Sequence, residues 1–320
     1  MAYDGTHTID PDTAPLQRGQ FLAKVLVLSV DPYLRGKMRD AGLESYSDAF
    51  VVGEPLYNYG VGVVVRSENP AFKAGDHLYG IFKFQHYVIE SDERAFRVLE
   101  NEQGLPWSVY VGVCGMPGLT AYCGWREYAR PKKGEVAFIT AGAGPVGATA
   151  IQLAKADGLK VIASAGSDEK VAFVRSVGAD VAFNYKTTDT RAVLEAEGPI
   201  DIYWDNVGGA TLEAAIQYAA RHARLLECGM ISQYNTTEPY HVKNLRLIVH
   251  KELNLHGFLV LSLQDKYAAE FLATVPARVA RGEIRYKEDR VRGLENAGRA
   301  IVDVQRGRNT GKSVVIVADE

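Results

Sequence analysis

Between Phe21 and Phe96 the chain runs in short apolar, β-branched segments broken by Gly, Pro and Asp. The segments at 21–30, 60–66, 76–84 and 86–89 have this form, which predicts an antiparallel β region. After Pro117-Gly118 the pattern changes. Short apolar runs alternate with longer stretches whose apolar positions recur at helical spacing, the signature of βαβ units on a parallel sheet. Strands are expected at 135–140, 160–165, 180–183, 201–205, 223–228 and 253–260. Helices are expected between them at 145–157, 169–177, 190–196 and 210–220, the first two closed by Gly158 and Gly178 just past their ends. A helix at 268–281 follows, then one near 294–305 and a last apolar run at 313–317. A strand does not stand alone, so this run is expected to rejoin the N-terminal β region.

Two such patterns in 320 residues imply two domains with a cleft between them, since one domain takes roughly 100–200 residues. The expected division is a discontinuous β domain, 1–112 with 269–320, and a doubly wound α/β domain, 113–268. A net charge of −3 gives no basic footprint for nucleic acid. Residues 1–5 lack the basic cluster and apolar segment of a signal peptide. No apolar run reaches the ~20 residues that cross a bilayer. The expectation is a cytoplasmic protein with neither membrane nor nucleic acid as partner. Cys114, Cys123 and Cys228 are widely spaced with no CxxC pair, which argues against disulfides and a four-cysteine zinc site.

The strongest local signal follows the first of the parallel strands. Gly142-Ala143-Gly144-Pro145-Val146-Gly147 has GxGxxG spacing, leaves a strand and opens a helix. In that setting backbone N–H groups and the helix dipole meet a pyrophosphate, and the third glycine permits close helix–strand packing. A tight glycine turn in an α/β sheet is the plainer alternative. The context favours a Rossmann dinucleotide site, with Gly142, Gly144, Pro145, Val146 and Gly147 binding the cofactor. An NAD site usually ends its second strand with an acid on the ribose hydroxyls. Here the strand ends Ser164-Ala165-Gly166-Ser167, and Asp168 reads as a first-turn residue behind an N-cap Ser167. A 2′-phosphate then has room above Gly166, with Lys170 to neutralise it, so NADPH is the expected cofactor. Tyr185 and Lys186 stand within reach, although Lys186 reads equally well as a solvated charge.

Several segments now read together: Asp31-Pro32-Tyr33-Leu34-Arg35-Gly36-Lys37-Met38, Met116-Pro117-Gly118-Leu119-Thr120-Ala121-Tyr122, the glycine loop, Asp205-Asn206-Val207-Gly208-Gly209, and Cys228-Gly229-Met230-Ile231-Ser232-Gln233-Tyr234-Asn235. They resemble the medium-chain dehydrogenase/reductase superfamily, in its zinc-independent branch of leukotriene B4 dehydrogenases, prostaglandin reductases and alkenal double-bond reductases. The resemblance covers nearly the whole chain. It implies a discontinuous GroES-like β-barrel catalytic domain beside the Rossmann domain, a homodimer, and NADPH-dependent reduction of the C=C bond of α,β-unsaturated aldehydes and ketones. It also implies that Gly166, Lys170 and Tyr185 take the 2′-phosphate, that Asn206 lies beside the dinucleotide, and that Asn309 reaches it from the tail. Cys228 and the residues to 231, with Phe258, Leu259 and Val260, would line the nicotinamide. Family members usually carry a further segment before the motif at Tyr3-Asp4-Gly5, so an N-terminally short version is expected.

Zinc enzymes of this superfamily converge a thiolate or carboxylate and a His on the metal. Asp31-Pro32-Tyr33 stand where a cysteine ligand would be, and His77 and His86 are isolated, so no metal is expected. Hydride addition to the β-carbon of an enone then needs a donor on the carbonyl oxygen as charge develops there. A phenol, still protonated at neutral pH, suits that role. Tyr234 lies past the fifth Rossmann strand, at the sheet edge where ligands bind, and is the first choice. The resemblance names it as donor to the substrate oxygen or organiser of the nicotinamide ribose, and adds Tyr33 and Tyr59 as pocket walls. Packing roles for all three are the alternative, and Tyr57, Phe82, Phe84 and Trp107 read as core. Two other functions stay open: a quinone oxidoreductase on the same fold, and an NADPH-binding protein without catalysis.

Overall fold

A computed structural model describes residues 1–6 and 8–320. It divides into two compact units, Met1–Met116 with Glu288–Glu320, and Pro117–Lys287. The strands in chain order are β1 Phe21–Ser29, β2 Tyr57–Ser67, β3 His77–Lys83, β4 Tyr87–Glu90, β5 Phe96–Val98, β6 Val136–Ile139, β7 Lys160–Ala165, β8 Val181–Asn184, β9 Ile200–Asp205, β10 Ala219–Glu227, β11 Asn254–Gly257, β12 Glu288–Arg292 and β13 Lys312–Ile316. The α-helices are α1 Leu34–Lys37, α2 Met116–Gly124, α3 Pro145–Ala156, α4 Asp168–Ser176, α5 Thr190–Glu197, α6 Gly209–Tyr218, α7 Arg246–His250, α8 Gln264–Ala280 and α9 Ala297–Gln305.

The first unit is organised by β1, which is buried at all but one position because both its edges and both its faces are covered. It pairs antiparallel with β2 on one side. On the other side β4 takes residues 21–24 and β13 takes residues 27–29. The tail strand therefore does rejoin the N-terminal β region. It brings β12 with it, parallel to β13, so the sheet is mixed where the sequence pattern predicted antiparallel pairing alone. Phe21 meets the rings of Phe72 and Phe96 edge-on at 5.0 and 5.4 Å, and Phe82 meets Phe96 at 5.0 Å. The apolar face of α9, Ala297, Ala300, Ile301 and Val304, closes this core.

In the second unit six parallel strands lie in the order β11-β10-β9-β6-β7-β8. The chain enters at β6, moves outward through β7 and β8, then crosses back to β9 and moves the other way. That is the doubly wound Rossmann arrangement, and its order reverses between β6 and β9, where ligands bind at the carboxyl ends of the strands. Gly158 and Gly178 follow α3 and α4 at φ of 80° and 112°, a conformation that glycine adopts without the Cβ clash. The expected break at 268/269 falls instead at 287/288, and that at 112/113 falls at 116/117. The reason is packing that sequence periodicity does not report. Phe271 of α8 meets Tyr122 of α2 at 5.6 Å, the Arg285 N–H donates to Gln152 Oε1 at 2.7 Å, and Lys287 pairs with Glu169 at 2.6 Å.

Phe271 is almost wholly buried, so Phe271→Ala should cost about 3–5 kcal/mol of unfolding free energy. Chemical denaturation measures this, and a loss under ~1 kcal/mol would show that α8 is not seated on α2.

Candidate active site

The glycine turn joins β6 to α3. Its first residue, Ala141, takes φ of 49°, and Gly142 N–H donates to Ser164 O at 2.9 Å. Gly144 is the N-cap, and Pro145 opens the helix with its fixed φ at a position whose N–H has no helical partner. A Cβ on Gly147 would lie 2.5 Å from Ala141 O and 2.9 Å from Gly142 Cα, so α3 reaches the strand end only because no side chain stands there. The first turn of α3 has no acidic residue, and its N-terminus keeps its positive character for an anion. Behind the turn, the buried Thr140 hydroxyl donates to Trp204 O at 3.1 Å and accepts the Asn206 N–H at 2.8 Å. The Asn206 amide donates to Thr140 O at 2.7 Å. Asn206 is thereby locked to the glycine turn across the point where strand order reverses.

Beside it, β7 ends at Ala165. Gly166 faces Tyr185, whose hydroxyl lies 3.1 Å from where a Cβ would be, so a larger residue would close this corner. Ser167 caps α4 by accepting the Lys170 N–H at 3.3 Å. Asp168 sits in the first turn and accepts from Asn184 Nδ2 at 3.0 Å, in line with its structural reading, while Glu169 pairs with Lys287. Both acids of that turn have partners of their own, and Tyr185 beside Gly166 is half-exposed. Lys186 is exposed.

The turns after β9 and β10 are laced together. Cys228 and Gly229 N–H both donate to Asp205 O at 3.0 and 3.1 Å, Ile231 N–H donates to Asn206 O at 3.2 Å, and Ser232 N–H donates to Val207 O at 3.1 Å. This holds the short helical turn Ile231–Gln233 and, just after it, Tyr234. The Tyr234 hydroxyl lies 3.1 Å from where a Gly229 Cβ would stand, so its ring folds back over the end of β10. Burial, then the nearby Asp205 and Glu227, push the Cys228 thiol up to about 12, which keeps it protonated. The Phe258 ring packs against Trp204 and Tyr128, each at 5.7 Å, and Val260 begins a short helical turn after it.

Tyr33, Tyr59 and Asn309 belong to the first unit. There Lys312, 3% exposed, donates to Asp31 Oδ1 at 2.8 Å and Val30 O at 2.6 Å. Asp31 Oδ2 accepts from Ser29 Oγ and from Asn58 Nδ2, the latter at 3.0 Å. Asn58 Oδ1 in turn accepts from the Tyr33 hydroxyl. The polarity of each link is fixed, because an ammonium only donates and a carboxylate only accepts. The Asn58 N–H2 is therefore committed to Asp31 and to Ser29 O, and the Tyr33 proton is committed to Asn58. With that proton committed, the Tyr33 oxygen retains acceptor capacity only. Burial first, then the charge of Asp31, hold both the Tyr33 and Tyr59 phenols protonated above their ordinary range. Tyr59 stacks on Tyr79 at 5.5 Å, and Tyr79 accepts the Met116 N–H at 3.0 Å. The Asn309 amide closes its own turn on Gly311 O at 2.8 Å. Sequence reading missed Thr140, Asn58 and Lys312, whose roles arise only from distant partners.

Residues 7–98 match the family model described as the N-terminal domain of oxidoreductase, and residues 145–275 match the one described as zinc-binding dehydrogenase. The 2-alkenal reductase (NADP(+)-dependent) of Nicotiana tabacum is 41% identical over 93% of this chain and 88% of its own. The chain belongs to the medium-chain dehydrogenase/reductase superfamily. Within that superfamily it sits in the zinc-independent branch: (+)-pulegone reductase of Mentha piperita is 40% identical over 94% of this chain and 89% of its own. CurA of Vibrio vulnificus, solved in complex with NADPH, matches with a TM-score of 0.87 and 32% identity over 100% of this chain and 96% of its own. Among the described residues no group of three or more His, Cys, Asp or Glu is placed to hold a metal ion.

Lys312→Met would leave Asp31 charged and unpaired in the core and should lower stability by about 3–5 kcal/mol. Adding Asp31→Asn to that variant should recover most of the loss in urea denaturation; equal stability of the wild type and the single variant would contradict the buried pairing.

Proposed function

We propose that this chain uses NADPH to reduce the carbon–carbon double bond of α,β-unsaturated aldehydes and ketones, without a metal. The observation that carries the cofactor is the corner beside the glycine turn, where the Tyr185 ring lies against Gly166 and both acids of the first turn of α4 are paired elsewhere. The similar proteins named as NADP-dependent alkenal and pulegone reductases support the reaction class. NADPH, when bound, supplies the hydride. The backbone of residues 142–147 and the N-terminus of α3 hold its pyrophosphate, and Gly166, Lys170 and Tyr185 hold its 2′-phosphate. Asn206, Cys228, Phe258 and Val260 flank its nicotinamide end. The Tyr234 hydroxyl donates to the substrate oxygen as charge develops there, a kind of contact worth about 2.7–4 kcal/mol in the transition state. Tyr59 and the acceptor face of Tyr33 contact the substrate. Cytoplasmic location and homodimeric assembly belong to the same proposal; no helix among the described residues is long and apolar enough to cross a membrane.

Oxidation of NADPH and of NADH, followed by ultraviolet absorbance with an alkenal, an arylbutenone and a quinone in parallel, tests this reading. NADPH consumption with the two enones is expected, and Tyr234→Phe should reduce kcat by about 10²-fold or more. Turnover confined to the quinone would replace the reading with a quinone oxidoreductase. NADPH binding with no turnover of any acceptor would leave a non-catalytic binding protein.

A further inference from the structure

At the end of the central strands two acids face one another. Asp205 closes β9, Glu227 closes β10, and the two are register partners on adjacent parallel strands. Asp205 is fully buried. Its Oδ1 accepts the N–H groups of Val207 and Gly208 at 2.7 and 2.8 Å, and so shapes the turn that presents Asn206. Its Oδ2 and both carboxyl oxygens of Glu227 are buried without a hydrogen-bond partner. Two ionised carboxylates here would leave three acceptor atoms desolvated and two like charges side by side. One proton removes both penalties. Glu227 is the group to carry it, because the charge of Asp205 already has two N–H donors and that of Glu227 has none.

We propose that Asp205 and Glu227 hold one proton between them, Glu227 donating to Asp205 Oδ2, and that the pair is a positioning unit for the turn that carries Asn206. Other titratable groups around it leave this arrangement in place. The Tyr203 hydroxyl of β9 is buried beside Asp205 and held protonated by burial and by that charge. The Cys228 thiol, next in the chain after β10, stays protonated as described. From β6 the neighbour is Thr140, which does not titrate. From β11 the register partner of Glu227 is Gly257, and the preceding His256 stacks on Tyr128 at 4.7 Å. Burial first, and the charge of Asp205 second, raise the Glu227 carboxyl to about 9. The sign follows from a raised acid: its contribution to stability is full below the ordinary carboxyl range and declines as pH rises, while the proton itself stays bound until pH passes about 9.

The shared proton stands by itself; only the link from Asn206 to the cofactor rests on the proposed function. Infrared difference spectra of the intact protein, with Glu carboxyls isotopically labelled, read the proton directly. The wild type should show a protonated-acid carbonyl band at neutral pH that disappears as pH is taken above about 9. Glu227→Gln, whose amide still donates to Asp205, should lack the band. Asp205→Asn should lose it too, because the new amide gives Glu227 a donor and lets it ionise. In parallel, wild-type affinity for NADPH should fall about tenfold over the unit of pH above that point, while Glu227→Gln holds steady. A wild type with no acid band at neutral pH overturns the proton. A band with identical NADPH pH profiles in wild type and Glu227→Gln overturns the positioning role. A band in a protein that does not bind NADPH contradicts the proposed function alone.

Discussion

The approach of α3 to the end of β6 depends on one missing carbon. A Cβ on Gly147 would come within 2.5 Å of Ala141 O, so any side chain there pushes the helix off the strand. With the helix seated, its N-terminus and the turn's N–H groups face the carboxyl edge of the sheet at the point where strand order reverses. Thr140 then ties this turn to Asn206, and Asp205 ties Asn206 to the turn after β10 that ends in Tyr234. The candidate residues of the second unit therefore share one anchored backbone, set by the close packing of a glycine.

The first unit uses a different device, a buried ion pair that fixes the direction of a chain of hydrogen bonds. Lys312 holds Asp31, Asp31 orients Asn58, and Asn58 takes the Tyr33 proton. Burying two charges gains little stability over a well-packed apolar pair. What it supplies here is polarity. With its proton given to Asn58, the Tyr33 oxygen has only lone pairs left to offer.

The parallel sheet was highly legible because strands buried on both faces read as continuous apolar runs bounded by glycine. The run at 160–165 became β7 without change, and Gly158 and Gly178 ended their helices as their positions indicated. β12 was not legible. Its Glu288-Asp289-Arg290 opening is too polar for a strand pattern, and among the described residues its strand partner is β13. The boundary near α8 failed for a related reason, since periodicity marks a helix but not the core it packs against. In the site, the GxGxxG spacing and the glycine at the end of β7 were local and readable. The partnership of Asp31 with Lys312 spans 281 positions, and that of Asp205 with Glu227 exists only through strand register. Neither leaves a pattern in a short window of sequence.

The proposed recognition of a 2′-phosphate by Gly166, Lys170 and Tyr185 is open to a direct test. Calorimetric binding of 2′,5′-ADP against 5′-AMP tests it without any substrate or turnover. The bisphosphate should bind at least about tenfold more tightly, a difference of ~1.4 kcal/mol, and Lys170→Ala should erase most of that preference. Equal affinity for the two nucleotides, or a preference untouched by the substitution, would contradict the account.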